Sequence, residues 1–363
     1  MTKSVAVRWC RAVTRASVRT LLRICFWGWF GVTTAGCGID GTMPLRTTEY
    51  IDEMRPSPFC RFQWSATFEG TPAERAAQGK VSYPTNLGMF SLWMGYEKDD
   101  RLDNSIKKML AELRGNGELR GKIPVLYAYM IPFKAYNQGL NKDCAPNSTS
   151  PNICTEGAAW IRANRDYLRD TYDSYARQLA AIWGTERPLL WLFEPGFNDY
   201  TRTSQSEPFT LPELGALAED LVGTLKGPLP NALVSVFASP EIADYDAYFG
   251  AFDLQLIDFV HVTGAAIRDY FGSPTSIENP QATYAAVHRA AERPLFVDTG
   301  FSASDVKDNG WLTSDYTVIN RRIADGVVAV QLGEVTAEME SQIDAVSTKT
   351  VGLMPEPQMN CIK

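Results

Sequence analysis

Histidine is nearly missing from this chain of 363 residues, which holds only His261 and His288. No His-x-x-x-His or Cys-x-x-Cys pair occurs, so a zinc centre built from those ligands has no support. There is no Gly-x-x-x-x-Gly-Lys loop to cradle a nucleoside phosphate, and no Gly-x-Ser-x-Gly turn to present a nucleophilic serine. No metal and no cofactor is therefore expected. The oxygen-rich stretch Asp305 to Gly310 lacks the EF-hand spacing and reads as a solvated loop. Basic residues are outnumbered, 35 against 42 acidic ones.

The first 37 residues sharpen that imbalance. They carry Lys3, Arg8, Arg11, Arg15, Arg19 and Arg23 and no acid, followed by an uncharged run from Ile24 to Gly36. A positive segment and a short apolar one form an export leader, too short to span a bilayer as a mature helix. Removing its six basic residues takes the net charge from −7 to −13. A surface this acidic argues against a nucleic-acid partner, because such binding rests on Lys and Arg neutralising phosphates. The leader ends in Ala35-Gly36-Cys37, similar to a bacterial lipobox with Thr34 where leucine is usual. The protein is thus expected to be secreted or held at the outer membrane by a lipid on Cys37, its only membrane contact. Cys10 and Cys25 leave with the leader, and Cys60, Cys144, Cys154 and Cys361 remain as an even set. Exported thiols usually pair. The expected pairs are Cys144 with Cys154, closing a polar loop, and Cys60 with Cys361, tying the ends together.

Residues 38–58 are polar, proline-bearing and without period, and read as a tether. From Phe59 to the end a single catalytic domain is expected, monomeric, in which strand and helix alternate with short connections. Strands are expected at 59–68, 87–94, 121–130, 188–193, 232–238, 256–263, 294–298 and 327–332. Helices are expected at 71–79, 103–114, 158–183, 211–226, 243–252, 280–291 and 314–325. This alternation predicts a (β/α)8 (TIM) barrel, or a distorted seven-stranded one if 59–68 is not a strand.

The stretch Leu189-Leu-Trp-Leu-Phe-Glu194-Pro195-Gly196 organises the site. Its apolar run is too short for a helix and lacks polar alternation, as in a strand covered on both faces. Glu194 shares the parity of Leu190 and Leu192, so it is expected to point into the barrel with them. Asp298 has a similar context in Phe296-Val297-Asp298-Thr299-Gly300. The carboxyl ends of barrel strands are where active sites are built. Aromatic residues crowd the same ends, and Trp93, Tyr96, Tyr129, Tyr136, Tyr200 and Trp311 are expected to form sugar platforms on one face with Glu194. Sugar faces pack on rings while acids transfer protons. Asp199 is a candidate hydroxyl ligand, and His261, late in a strand, could orient a substrate hydroxyl.

The Phe193-Glu194-Pro195 and Val297-Asp298-Thr299 contexts, within an alternation running from Phe59 to Leu353, resemble a secreted barrel glycoside hydrolase of the cellulase kind. In the large clan of retaining barrel glycosidases, an acid/base glutamate ends strand four, often in Asn-Glu-Pro, and a glutamate nucleophile ends strand seven. Here Phe193 replaces that asparagine and Asp298 that glutamate. A seven-stranded cellulase barrel that inverts with aspartates is a second relative. The resemblance implies cleavage of a β-glucan or cellulose-like polysaccharide or oligosaccharide, with Glu194 as general acid and Asp298 as its partner. About 5.5 Å between the two carboxyls favours retention and roughly 6.5–9.5 Å inversion, towards which the short aspartate leans. Two other classes stay open: a polysaccharide-binding surface lipoprotein without activity, and a barrel enzyme using a divalent metal held by strand-end carboxylates.

Overall fold

In the computed structural model, eight parallel strands close into a barrel in chain order, β1-β2-β3-β4-β5-β6-β7-β8, with β8 pairing back onto β1. The structure describes Phe59 and residues 61–142, 151–262, 283–299, 310–312 and 316–350, with side chains in the last helix to 347. The leader, the tether, Cys37, Cys60, Cys144 and Cys361 lie outside the described residues. Cys154 is disulfide-bonded.

The strands are β1 (Gln63–Thr67), β2 (Met89–Met94), β3 (Ile123–Ala128), β4 (Leu189–Phe193), β5 (Ala232–Ala238), β6 (Phe259–Val262), β7 (Leu295–Asp298) and β8 (Val327–Gln331). The eight-strand reading therefore holds: Glu194 follows the fourth strand and Asp298 ends the seventh. The helices are α1 (Pro72–Ala77), α2 (Asn104–Arg114), α3 (Met130–Asn137), α4 (Ile153–Ala163), α5 (Arg165–Trp183), α6 (Leu211–Lys226), α7 (Tyr245–Phe249), α8 (Tyr284–Ala291), α9 (Tyr316–Ala324) and α10 (Met339–Thr350).

Two apolar layers explain why the strands read as unbroken apolar runs. Inside the barrel, Val125, Tyr127, Leu190, Leu192, Phe259 and Phe296 pack on one another. Outside it, Trp191 and Phe193 of β4 meet the helices, with Tyr172 of α5 5.9 Å and 5.8 Å from their rings. Each large side chain buried this way contributes roughly 1.5–3 kcal/mol. Helix ends follow local chemistry. Thr210 and Glu213 form a reciprocal capping box that starts α6 at Leu211, matching the sequence expectation residue for residue.

Three expectations are corrected. The helix expected over 158–183 is two helices, α4 and α5, interrupted at Asn164, which ends one and precedes the other. The stretch after β3 was expected to be loop, yet it begins with α3. Pro132 is tolerated there because it sits in the first turn, where amides lack intrahelical partners. Last, α10 follows β8 where no helix was expected.

Candidate active site

The carboxyl end of the barrel holds two acids in unlike surroundings. Asp298 is the last residue of β7, is buried, and pairs in register with Gln331 of β8. It lies beside the hydroxyl of Tyr127, a residue of the barrel interior. Burial holds that hydroxyl well above the ordinary tyrosine range, and the charge of Asp298 adds to the effect. Asp298 therefore occupies the inward position that strand alternation assigns to it.

Glu194 departs from that alternation. Its backbone amide still bonds to Ala128 O of β3 at 3.0 Å, but its φ of 40° is left-handed, so strand geometry stops at Phe193. The side chain does not follow Leu190 and Leu192 towards the barrel axis. Glu194 Oε1 accepts hydrogen bonds from the amides of Met130 and Ile131, each at 3.0 Å, and from the Tyr172 hydroxyl at 2.5 Å. Because Tyr172 packs on the two outward-facing rings of β4, the carboxyl group is held at the wall between β3 and β4. There it caps α3, whose own N-cap residue, Tyr129, supplies no side-chain bond. Gly95 allows the approach: with φ of 112°, it lies where a Cβ would come within 2.9 Å of Met130 Cα.

Burial pushes the Glu194 carboxyl up to about 8, against the lowering effect of its three hydrogen bonds. At neutral pH it is mostly a carboxylic acid. Oε1 accepts three bonds, whereas Oε2 is buried and has no hydrogen-bond partner among the described residues.

From Tyr127, beside Asp298, a track of aromatic rings leads outwards. Trp93 lies 5.2 Å from Tyr127 and 5.7 Å from Tyr129, Tyr129 lies 5.4 Å from Phe133, and Phe133 lies 5.9 Å from Tyr96. Lys142 sits over Phe133 and near Tyr136, 5.1 Å and 5.9 Å from the ring centres. Exposure grows along this track. Tyr127 is buried, Trp93, Tyr129 and Phe133 are half-buried, and Tyr96 and Tyr136 are 42% and 54% exposed. Four of the six expected platform residues thus lie together, on the β2 and β3 side of the mouth.

The other two do not. Trp311 is fully buried between Phe62 and Tyr284, at 6.4 Å and 6.2 Å, in the layer outside the strands. Tyr200, only 3% exposed, is packed on Phe197, and a Cβ on Gly157 of α4 would stand 2.8 Å from its ring. Neither presents a face to a sugar. Tyr200 instead carries its hydroxyl into the electrostatic reach of Glu194, Tyr129 and Asp199, burial raising it most. Asp199 is paired with Arg202 at 2.8 Å, and burial pushes its carboxyl up to about 6 despite that partner.

His261 is fully buried, enclosed by Phe237 at 5.1 Å and Tyr127 at 6.3 Å. Its Nδ1 is 3.1 Å from Ser235 Oγ, which also accepts the Phe193 amide. Burial lowers its pKa to about 3, so the ring is neutral at working pH. Tyr172 was missed from sequence: it falls in the helix expected over 158–183, where a tyrosine reads as part of the buried face and nothing marks its hydroxyl as a partner of Glu194. Among the described residues no three His, Cys, Asp or Glu side chains gather as a metal site.

No family model and no curated protein matches the sequence. Among solved structures, the chain is similar to a GH26 β-mannanase from Bacteroides ovatus. That match has a TM-score of 0.54 and 13% identity, and covers 84% of this chain and 93% of the other. It is also similar to a double mutant of the Cellulomonas fimi endo-β-1,4-mannanase, with a TM-score of 0.52 and 11% identity, covering 87% of this chain and 76% of the other. What is shared is the fold. At such identities the likeness establishes the (β/α)8 barrel and leaves the chemistry to the residues.

Proposed function

We propose that this protein is a glycoside hydrolase acting on a plant or microbial polysaccharide. The observation that carries the reading is the placing of two buried acids at the carboxyl end of a closed barrel, with an aromatic track that starts at Tyr127, beside Asp298, and becomes exposed outwards. Rings of graded exposure offer a sugar chain successive faces, and the track runs up to one of the acids that would cut it.

In this reading Glu194 is the general acid. Neutral at pH 7, it delivers its carboxyl proton to the glycosidic oxygen as the bond to the sugar breaks. Asp298 acts from the barrel interior as the second carboxylate, its charge stabilising the oxocarbenium-like transition state, while a water adds to the anomeric carbon and the proton it gives up restores the acid form of Glu194. Trp93 and Tyr129, in edge contact with each other, offer the sugar one continuous aromatic surface. His261, a neutral ring, serves as a fixed dipole beneath. Among substrates a β-1,4-mannan comes first, ahead of the cellulose-like glucan that the sequence suggested, because the two solved structures named above are β-mannanases. Export, as a secreted protein or through a lipid on Cys37, belongs to the same proposal.

A second reading draws on one specific observation, the three donors that occupy Glu194 Oε1. If Glu194 does no more than cap α3, the barrel is a polysaccharide-binding protein that keeps the track and cuts nothing. Incubating the pure protein with a panel of mannans, glucans and xylans, while measuring both reducing ends and pull-down, separates the two. Release of reducing ends, lost in Asp298→Asn, supports the hydrolase. Retention on a polysaccharide with no new ends supports the binder.

A further inference from the structure

A groove of about 800 Å³ opens between the loops that follow β4 and β5. That volume falls within the range of small-molecule pockets, roughly 300–1,000 Å³. Its apolar walls include Phe209 and Tyr248, both buried, and its rim carries Arg202, Glu241 and Asp244. Arg202 is held between Asp199, at 2.8 Å, and Glu241. Asp244 starts α7, accepting the Ala247 amide at 2.9 Å. One side chain here carries an unpaired polar atom. Asn198 lines the groove with 6% residual exposure, and its buried Oδ1 has no hydrogen-bond partner among the described residues. A buried amide left unpaired costs about 1–3 kcal/mol, which a ligand able to hydrogen-bond it would offset.

We propose that this groove binds one neutral sugar ring of the polysaccharide, recognised by the Asn198 amide, and rejects rings that bear a carboxylate. The inference rests on the hydrolase reading for the identity of the ligand, and on the groove's own chemistry for its selectivity. An amide both donates and accepts, which suits a pair of ring hydroxyls. Leu211, Ala243 and Ala247, which line the groove and are not buried, supply an apolar wall for the C–H face. Among the described residues three carboxylates stand against one guanidinium, already held by two of them, so a uronate would meet net negative charge with no free cation among those residues to pair it.

The Asn198 side-chain amide is its own reporter in a nitrogen-labelled protein. The full chain carrying Asp298→Asn, to stop turnover, is titrated by NMR with a neutral manno-oligosaccharide and with an oligosaccharide of uronic acids. The neutral sugar is expected to shift the amide resonances and the uronate to leave them in place. Asn198→Leu and Asn198→Ser, each verified as folded by thermal unfolding, should weaken the neutral sugar about tenfold. An unmoved amide at saturating neutral sugar, or an equal response to the uronate, overturns the proposal. The two readings fail separately. Sugar-dependent shifts in a wild-type protein that releases no reducing ends would keep the groove and remove the hydrolase. Hydrolysis that is indifferent to Asn198→Leu, with an unmoved amide, would do the reverse.

Discussion

Glu194 and Asp298 stand in almost the same sequence context, an apolar strand, an acid and a glycine turn, yet the fold treats them oppositely. Asp298 is still inside its ladder, so alternation governs it and it faces the barrel interior beside Tyr127. Glu194 stands one residue beyond its strand with a left-handed backbone, and it is governed by what needs a hydrogen-bond acceptor nearby. That need is the uncapped start of α3. The difference teaches that parity arguments end where the ladder ends, and that a carboxyl group just past it goes to the strongest local donors.

The largest effect that would sharpen the comparison is on turnover by Asp298→Asn. The substitution keeps shape and removes charge in the barrel interior, so kcat on a polysaccharide should fall by at least about 10³-fold with the melting temperature nearly unchanged. Steady-state kinetics and calorimetry on the same preparation check both halves. Unchanged kcat would make Asp298 a structural residue.

Stability separates the two acids in the other direction. Glu194→Ala orphans the Met130 and Ile131 amides and the Tyr172 hydroxyl, and should cost roughly 2–4 kcal/mol in denaturant unfolding. Glu194→Gln keeps an acceptor in place and should cost under about 1 kcal/mol. The pH dependence has a defined sign. The folded carboxyl titrates at about 8 against 4.5 for an ordinary glutamate, so the folded state binds the extra proton between those values. Its contribution is fully present below pH 4.5 and is lost as pH rises through 8. Unfolding free energy should therefore decline across that window in the wild type, and Glu194→Gln should flatten the decline. A Gln variant with the wild-type slope would place the titration elsewhere.

Smaller effects probe the track and the clamp. Trp93→Ala should raise KM for a long polysaccharide about tenfold while changing kcat little, since the ring binds substrate and transition state alike. Tyr172→Phe removes one donor to Oε1, so the Glu194 pKa should move up and carry the alkaline limb of the kcat profile with it. A limb that stays in place would exclude Glu194 as the group responsible.

Much of the fold was legible because it repeats one unit. The apolar run of β4, the stripe of α5 and the capping box of α6 each state their conformation locally. What escaped had contrary local signals. Pro132 disguised α3, and Asn164 broke a stripe whose period continued across it. At the site, Trp93, Tyr96, Tyr129 and Asp298 lie at or just past the ends of β2, β3 and β7, which is where the sequence put them. Trp311 was misjudged because a tryptophan after a glycine turn reads alike whether it meets solvent or the helix layer. The turn at Glu194 was invisible, because a positive φ there answers to a helix sixty residues earlier in the chain.

The central claim, that Glu194 is a protonated acid which cuts glycosidic bonds as well as capping α3, is tested most directly by changing the leaving group. An aryl glycoside whose phenolate departs unassisted needs no proton, whereas a polysaccharide does. Glu194→Gln should lose about 10²–10⁴-fold in kcat on the polysaccharide and remain near wild type on the aryl glycoside. Equal behaviour of the two proteins on both substrates, or equal losses on both, would contradict the assignment and leave Glu194 as a helix cap alone.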